Sequence, residues 1–227
     1  MIKKFFTEIQ NALLDFIYPP KCPICDAYIE NRDDILCEEC EKKILAVDRS
    51  PKKNDPIKEV WRITKYREGT REIIRDLKFN FNFKTLKAIN KILEKAINES
   101  EQLNELLSKI DIAVAVPLYI DREKERGFNQ VELIFDEFLK RQNISMERLI
   151  IRNRSTDHLY KLSPEDRKNE LVGAFSLVEG ANEKIINKKI LLLDDIFTTG
   201  TTMKECAKVF SENGVAEIYG LALASDY

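Results

Sequence analysis

Apolar positions along this chain recur with two periods, one helical and one extended. Between residues 3 and 17, Phe5, Phe6, Ile9, Leu13, Phe16 and Ile17 fall at helical spacing, and Pro19 and Pro20 stop that helix. Its polar face is not strongly basic, so it is expected to pack against protein rather than lie on a membrane surface. Val60–Tyr66 has strand character. Thr70–Leu77 and Phe83–Asn98 carry helical periodicity, and Leu103–Ile110 is a shorter helical candidate. Ile112–Val116 is a continuous β-prone run ending at Pro117. Asn129–Gln142 predicts an amphipathic helix with Val131, Leu133, Ile134, Phe138 and Leu139 on its apolar side. Leu149–Ile151 reads as a short strand. Ile190–Leu193 is wholly apolar, as a strand covered on both faces would be. Thr201–Asn213 predicts a helix closed by Gly214, and Ile218–Ala224 a last strand. Strands alternating with helices imply an α/β fold whose mainly parallel sheet is flanked by helices.

Cysteine spacing adds a second unit. Cys22, Cys25, Cys37 and Cys40 form two C-x-x-C knuckles separated by eleven residues. Four thiolates so arranged converge tetrahedrally on one structural Zn²⁺ with no open position for catalysis. Disulfides are the rival reading, and a reducing cytoplasm disfavours them. Residues 1–20 are therefore read as an N-terminal amphipathic helix and 21–48 as a four-cysteine zinc module. Residues 49–56, with Pro51, Pro56 and much charge, read as a linker, and 57–227 as the larger domain. Chelation is expected to unfold 21–48 and leave the larger domain folded. Cys206 falls at an apolar helical position and reads as a small core residue.

Composition narrows the function. The 227 residues carry 37 basic and 39 acidic side chains, for a formal net charge of −2, which argues against a protein wrapped in nucleic acid. No apolar run approaches the ~18 residues of a membrane span, and the N-terminus lacks the apolar core of a signal peptide, so the reading is cytoplasmic. A single histidine, His158, excludes a histidine-rich metal site. No glycine precedes a lysine, and no G-x-G-x-x-G occurs, so Walker A and dinucleotide fingerprints are both absent.

The richest chemistry lies in Ile190-Leu-Leu-Leu-Asp-Asp-Ile-Phe-Thr-Thr-Gly-Thr-Thr202. A buried strand delivers Asp194 and Asp195 to the carboxyl end of a parallel sheet, where open α/β folds bind ligands. The hydroxyl-rich turn and helix start that follow make an anion pocket, and Gly200 permits the turn. One end of this stretch suits sugar hydroxyls or a metal, the other a phosphate; a sugar phosphate has both. Upstream, Arg122, Lys124 and Arg126 follow the Ile112–Val116 strand, with Gly127 loosening the loop and Asn129 placed to cap the next helix. Guanidinium groups there suit a pyrophosphate. Arg152, Arg154 and Arg167 are further candidate phosphate contacts. Lys78-Phe-Asn-Phe-Asn-Phe83-Lys84 interleaves aromatics with basic residues; Phe79, Phe81 and Phe83 read first as core and second as a platform for single-stranded bases.

The thirteen residues from Ile190 closely resemble the 5-phosphoribosyl-1-pyrophosphate (PRPP) motif of type I phosphoribosyltransferases. That resemblance implies ribose contacts, and a catalytic role, for Asp194 and Asp195. It implies 5′-phosphate contacts for Thr198, Thr199, Gly200, Thr201 and Thr202, pyrophosphate contacts for Arg122 and Arg126, and Mg²⁺ entering with PRPP. Nearly the whole chain is similar to the ComF family of bacterial competence-associated proteins. The residues that carry this are Pro19-Pro20, the four cysteines, Leu77-Lys78-Phe79, Val116-Pro-Leu, Arg126-Gly-Phe-Asn-Gln130, Gly173-Ala-Phe175 and the PRPP-type loop. Where that family commonly carries a glutamine, this chain reads His158-Leu159-Tyr160, and His158 is assigned no role. The family implies a type I phosphoribosyltransferase-like fold with a zinc module, linked to DNA uptake. Two functions follow: transfer of the phosphoribosyl group to an unidentified nitrogen nucleophile, or a non-catalytic adaptor that binds PRPP, single-stranded DNA or competence proteins.

Overall fold

The computed structural model describes residues 19–22, 24–29, 36–51, 55–67, 69–80, 83–155 and 170–226. The expected helix over residues 3–17, His158 and Arg167 lie outside them, as does Phe81.

A six-stranded sheet organises the described residues, in the order β1-β2-β8-β7-β3-β4. Its strands are β1 (Leu45–Pro51), β2 (Glu59–Lys65), β3 (Ile112–Ala115), β4 (Ser145–Met146), β7 (Lys189–Phe197) and β8 (Glu217–Ser225). Every neighbouring pair runs parallel except β1 and β2. Side chains alternate between two cores, as a strand covered on both faces requires. Leu191, Leu193, Leu221, Leu223, Ala113 and Ile63 enter one core. It also holds residues of α2 (Thr70–Asn80), α3 (Phe83–Glu99), α4 (Glu101–Leu107) and α6 (Gln130–Arg141). Ile190, Leu192, Ile112, Val114 and Val60 enter the other, against α7 (Ala181–Ile185) and α8 (Thr201–Ser211).

The amphipathic elements form where the periodicity places them. Helix α6 starts as its sequence dictates: Asn129 Oδ1 accepts the Val131 N–H at 3.0 Å, and Asn129 Nδ2 donates to the Val116 carbonyl at 3.1 Å. The apolar face of α6 includes Phe135, and Leu133 is half-buried. Helix α4 starts two residues before the expected Leu103, because Ser100 Oγ accepts the Leu103 N–H at 3.3 Å. Cys206 is fully buried, as expected of a core residue.

Three segments differ from the sequence reading. Residues 45–51 are an edge strand rather than the end of a module running into a linker. Ser50 and Pro51 pair with Val60 and Glu59, and Arg62 pairs with Asp48. The polarity that suggested a linker is what an edge strand tolerates. The stretch after β3 is not a loose loop but helix α5 (Ile120–Arg126), ended by Gly127 at φ 80°, whose N–H donates to the Glu123 carbonyl at 2.7 Å. The expected strand at Leu149–Ile151 exists as β5 (Ile150–Arg152), but it pairs outside the main sheet, antiparallel to β6 (Phe175–Leu177). A bridge between Tyr119 and Arg152 sets this two-stranded sheet beside the end of β3.

Candidate functional site

Chain direction makes the crevice. From β3 the chain winds outward to β4; from the adjacent β7 it winds the opposite way to β8. The strand order thus reverses between β3 and β7, and open parallel sheets bind ligands beyond the carboxyl ends of strands at such a switch point. Strands β3 and β7 end side by side: Ala115 faces Leu193, and the Val116 N–H donates to the Leu193 carbonyl at 2.9 Å.

Strand β7 continues through both aspartates to Phe197, where it pairs with Ser225 of β8. Asp194 and Asp195 are thus held by a sheet ladder, on opposite faces of one strand. Only Thr198–Gly200 remains as the turn. Gly200 has φ 74° and precedes the first residue of α8, whose N-terminus has no side-chain cap. Thr199 Oγ1 lies 2.8 Å from Thr201 Oγ1 and accepts the Thr201 N–H at 3.4 Å. Hydroxyls and first-turn N–H groups therefore surround the entrance of α8, the arrangement an anion needs. A Cβ on Gly200 would stand 2.5 Å from the Phe197 ring, so space and φ both demand glycine. Gly200→Ala is expected to cost about 1–2 kcal/mol from the left-handed backbone alone. A thermal melt should read this as a fall of about 2–8 °C.

The two aspartates differ sharply. Asp195 is 7% exposed. Its Oδ2 accepts Lys78 Nζ at 2.6 Å and Gln130 Nε2 at 3.1 Å. Burial would raise its pKa, but the Lys78 ammonium and these hydrogen bonds outweigh burial and hold it below the usual carboxylate range. Asp194 Oδ1 accepts the Asp195 N–H at 2.9 Å. Burial, followed by the charge of Asp195, pushes Asp194 well above that range.

Arg122 and Arg126 sit four residues apart on α5 and so share a face, while Lys124 is exposed. Arg126 Nη1 donates to Gln130 Oε1 at 2.8 Å, which links Arg126 through Gln130 to Asp195. Burial and the charge of Arg122 lower the Arg126 pKa. Arg152 packs over the Phe175 ring, 5.8 Å from its centroid, and Arg154 donates to the Val172 carbonyl.

Lys78 and Gln130 belong to this site, and the sequence analysis gave neither a role in it. Their signal was present as polar residues on apolar stripes. Lys78 follows Ile74 by four positions, and Gln130 precedes Ile134 by four; a polar group on a buried face needs a partner.

The cysteines form a separate centre. Their four sulfurs lie within 4.8 Å of one another, and Cys25 Sγ is 3.5 Å from Cys37 Sγ. That spacing and an all-thiol donor set fit one tetrahedral Zn²⁺. Burial would raise the Cys22 thiol, yet backbone N–H groups of Cys37, Ile24 and Cys25 bring it down to about 7. Among the described residues this is the one cluster of metal-ligating side chains, and no helix is long and apolar enough to cross a membrane.

Fold and sites together define an α/β protein, its mainly parallel sheet flanked by helices, with a four-cysteine zinc-binding module. A family model described as a double zinc ribbon domain matches residues 13–51. Competence protein F of Haemophilus influenzae is 31% identical over 162 residues, 70% of each chain. DNA utilization protein YhgH of Escherichia coli is 26% identical over 202 residues, covering 87% of this chain and 86% of that one. Competence protein ComFC of Streptococcus pneumoniae is 26% identical over 215 residues, covering 89% and 86%. The chain belongs to the ComF family of competence-associated proteins. Among solved structures, a hypoxanthine phosphoribosyltransferase from Staphylococcus aureus aligns with a TM-score of 0.40 at 16% identity, covering 62% of this chain and 64% of that one. An adenine phosphoribosyltransferase from Thermoanaerobacter pseudethanolicus aligns with a TM-score of 0.39 at 15% identity, covering 83% and 98%.

Proposed function

We propose that this protein binds PRPP in the crevice between β3 and β7 and serves competence or DNA utilization, the roles that the names of its relatives give to them. One observation carries the PRPP reading. One strand carries Asp194, a carboxyl with no ion pair among the described residues, and three residues beyond it ends in a three-residue turn that leads into the hydroxyl-lined start of α8. Such a pair of groups fits the two ends of a sugar phosphate. In this reading, Asp194 meets a ribose hydroxyl. Thr198, Thr199, Thr201, Thr202 and the N–H groups beyond Gly200 hold the 5′-phosphate, and Arg122 and Arg126 face the pyrophosphate. Hard oxygen donors suit Mg²⁺, which would supply charge neutralisation when it enters with the pyrophosphate. Should the protein turn PRPP over, the pyrophosphate leaves toward the arginines and a nitrogen nucleophile attacks the anomeric carbon. The chain's contribution is then chiefly electrostatic.

The test is calorimetric titration with PRPP and Mg²⁺ of the wild type and of Asp194→Asn. We expect the wild type to bind and the variant to lose about tenfold or more in affinity. A wild type that binds no PRPP overturns this reading and moves the search to single-stranded DNA and protein partners. If binding holds, pyrophosphate release in the presence of nitrogen bases separates transferase from adaptor.

A further inference from the structure

Two carboxyls adjacent in sequence at a water-poor strand end cannot both carry charge cheaply. This protein gives one of them a cation. Lys78 lies in the last turn of α2, on the stripe that buries Ile74 and Leu77, and its ammonium stands 2.6 Å from Asp195 Oδ2. The pair is enclosed: the two side chains are 20% and 9% exposed. Gln130 holds the same carboxylate oxygen from the other side and ties it to Arg126.

We propose that Lys78 is the positioning residue of the crevice: by pairing with Asp195 it divides the two carboxyls into a charge-paired anchor and, on the opposite face of the strand, a second group left for the ligand. The charge balance follows. Lys78 cancels Asp195, and the proton that burial favours on Asp194 cancels the second carboxyl. With both carboxyls neutralised, the strand end no longer repels a phosphate-rich anion. The charged and titratable groups around the pair are Lys78 from α2, Arg126 with Arg122 and Glu125 from α5, and the buried Cys206 thiol of α8 with Glu205 and Arg152 near it. Without Lys78, Asp195 would be a buried, uncompensated anion beside the ligand.

The inference rests on the PRPP reading for its ligand but not for its first measurement, a carboxyl ¹³C NMR titration of Asp194 and Asp195. In the wild type, Asp195 is expected to ionise below Asp194; the reverse order overturns the proposal without any variant. In Lys78→Met, which keeps the apolar stem, the Asp195 titration should move upward, and in Lys78→Arg it should stay low. Calorimetry should then show PRPP affinity reduced about tenfold or more in Lys78→Met and restored in Lys78→Arg. An unmoved Asp195 titration, or unchanged affinity in Lys78→Met, overturns the proposal. A wild type that fails to bind PRPP defeats the ligand reading alone, and the titration still decides the role of Lys78.

Discussion

Stripping zinc with a chelator is expected to lower the melting temperature of the whole chain by about 8–16 °C, in a single calorimetric transition. A ligand at about a thousandfold excess over its dissociation constant stabilises the folded state by ~4 kcal/mol. A chain of this length shifts by about 2–4 °C per kcal/mol. One transition is expected because the cysteine module shares its core with the main domain. Cys22, Ile29, Leu36 and Ile44 lie in the same cluster as Ile73, Ile74 and Leu77 of α2 and Ile89 and Leu93 of α3. Glu41, in helix α1 (Glu38–Ile44), pairs with Lys91 at 3.0 Å and Lys95 at 3.4 Å, both on α3. A Cβ on Gly69, just before α2, would stand 2.5 Å from Ile24 Cγ2, so knuckle and helix touch without a gap. Helix α1 also runs directly into β1, which is part of the sheet. Unfolding the module alone would open this core to water, so the independent unfolding that the linker reading implied is not the expected outcome. A melt with an early zinc-dependent step and an unmoved main transition would refute the shared core.

Local pattern and local chemistry were legible in the sequence; partnerships across the fold were not. The runs at Ile112 and Ile190 announced buried strands, because parallel strands covered on both faces have no polar alternation to lose. The Asp-Asp and Thr-Gly stretch announced its own local structure, because a strand, a turn and a helix start are contiguous in sequence. Strand β1 was hidden because an edge strand carries charges like those of a linker, and only its pairing with β2 distinguishes the two. The roles of Lys78 and Gln130 were hidden for a related reason. Lys78 is 117 residues from Asp195 and Gln130 is 65, and no local rule names the partner of a polar group on an apolar stripe.

That division between neighbouring carboxyls should appear as opposite stability effects of the same chemical change. Asp195→Asn removes the anion from an enclosed pair and leaves the Lys78 ammonium facing an amide. Removing one partner of a buried pair costs about 3 kcal/mol at the low end, which suits a lysine that keeps some exposure. At 2–4 °C per kcal/mol, the melting temperature at neutral pH should fall by about 6–12 °C. Asp194→Asn should do no such thing. Burial and Asp195 raise the folded pKa of Asp194 above the reference of 3.8, so the wild type loses stability as pH rises through that interval. An asparagine cannot ionise and escapes this loss, so the Asp194 variant should melt at or above the wild type at neutral pH. The sign reverses for Asp195, whose folded pKa is depressed. Its stabilisation is full above the reference value and is lost as pH falls through the folded pKa. Acidification should therefore close the gap between wild type and Asp195→Asn. Melts of the two variants across pH test the assignment directly. Equal losses in both, or a gap for Asp195→Asn that persists in acid, would mean that Lys78 does not distinguish the carboxyls.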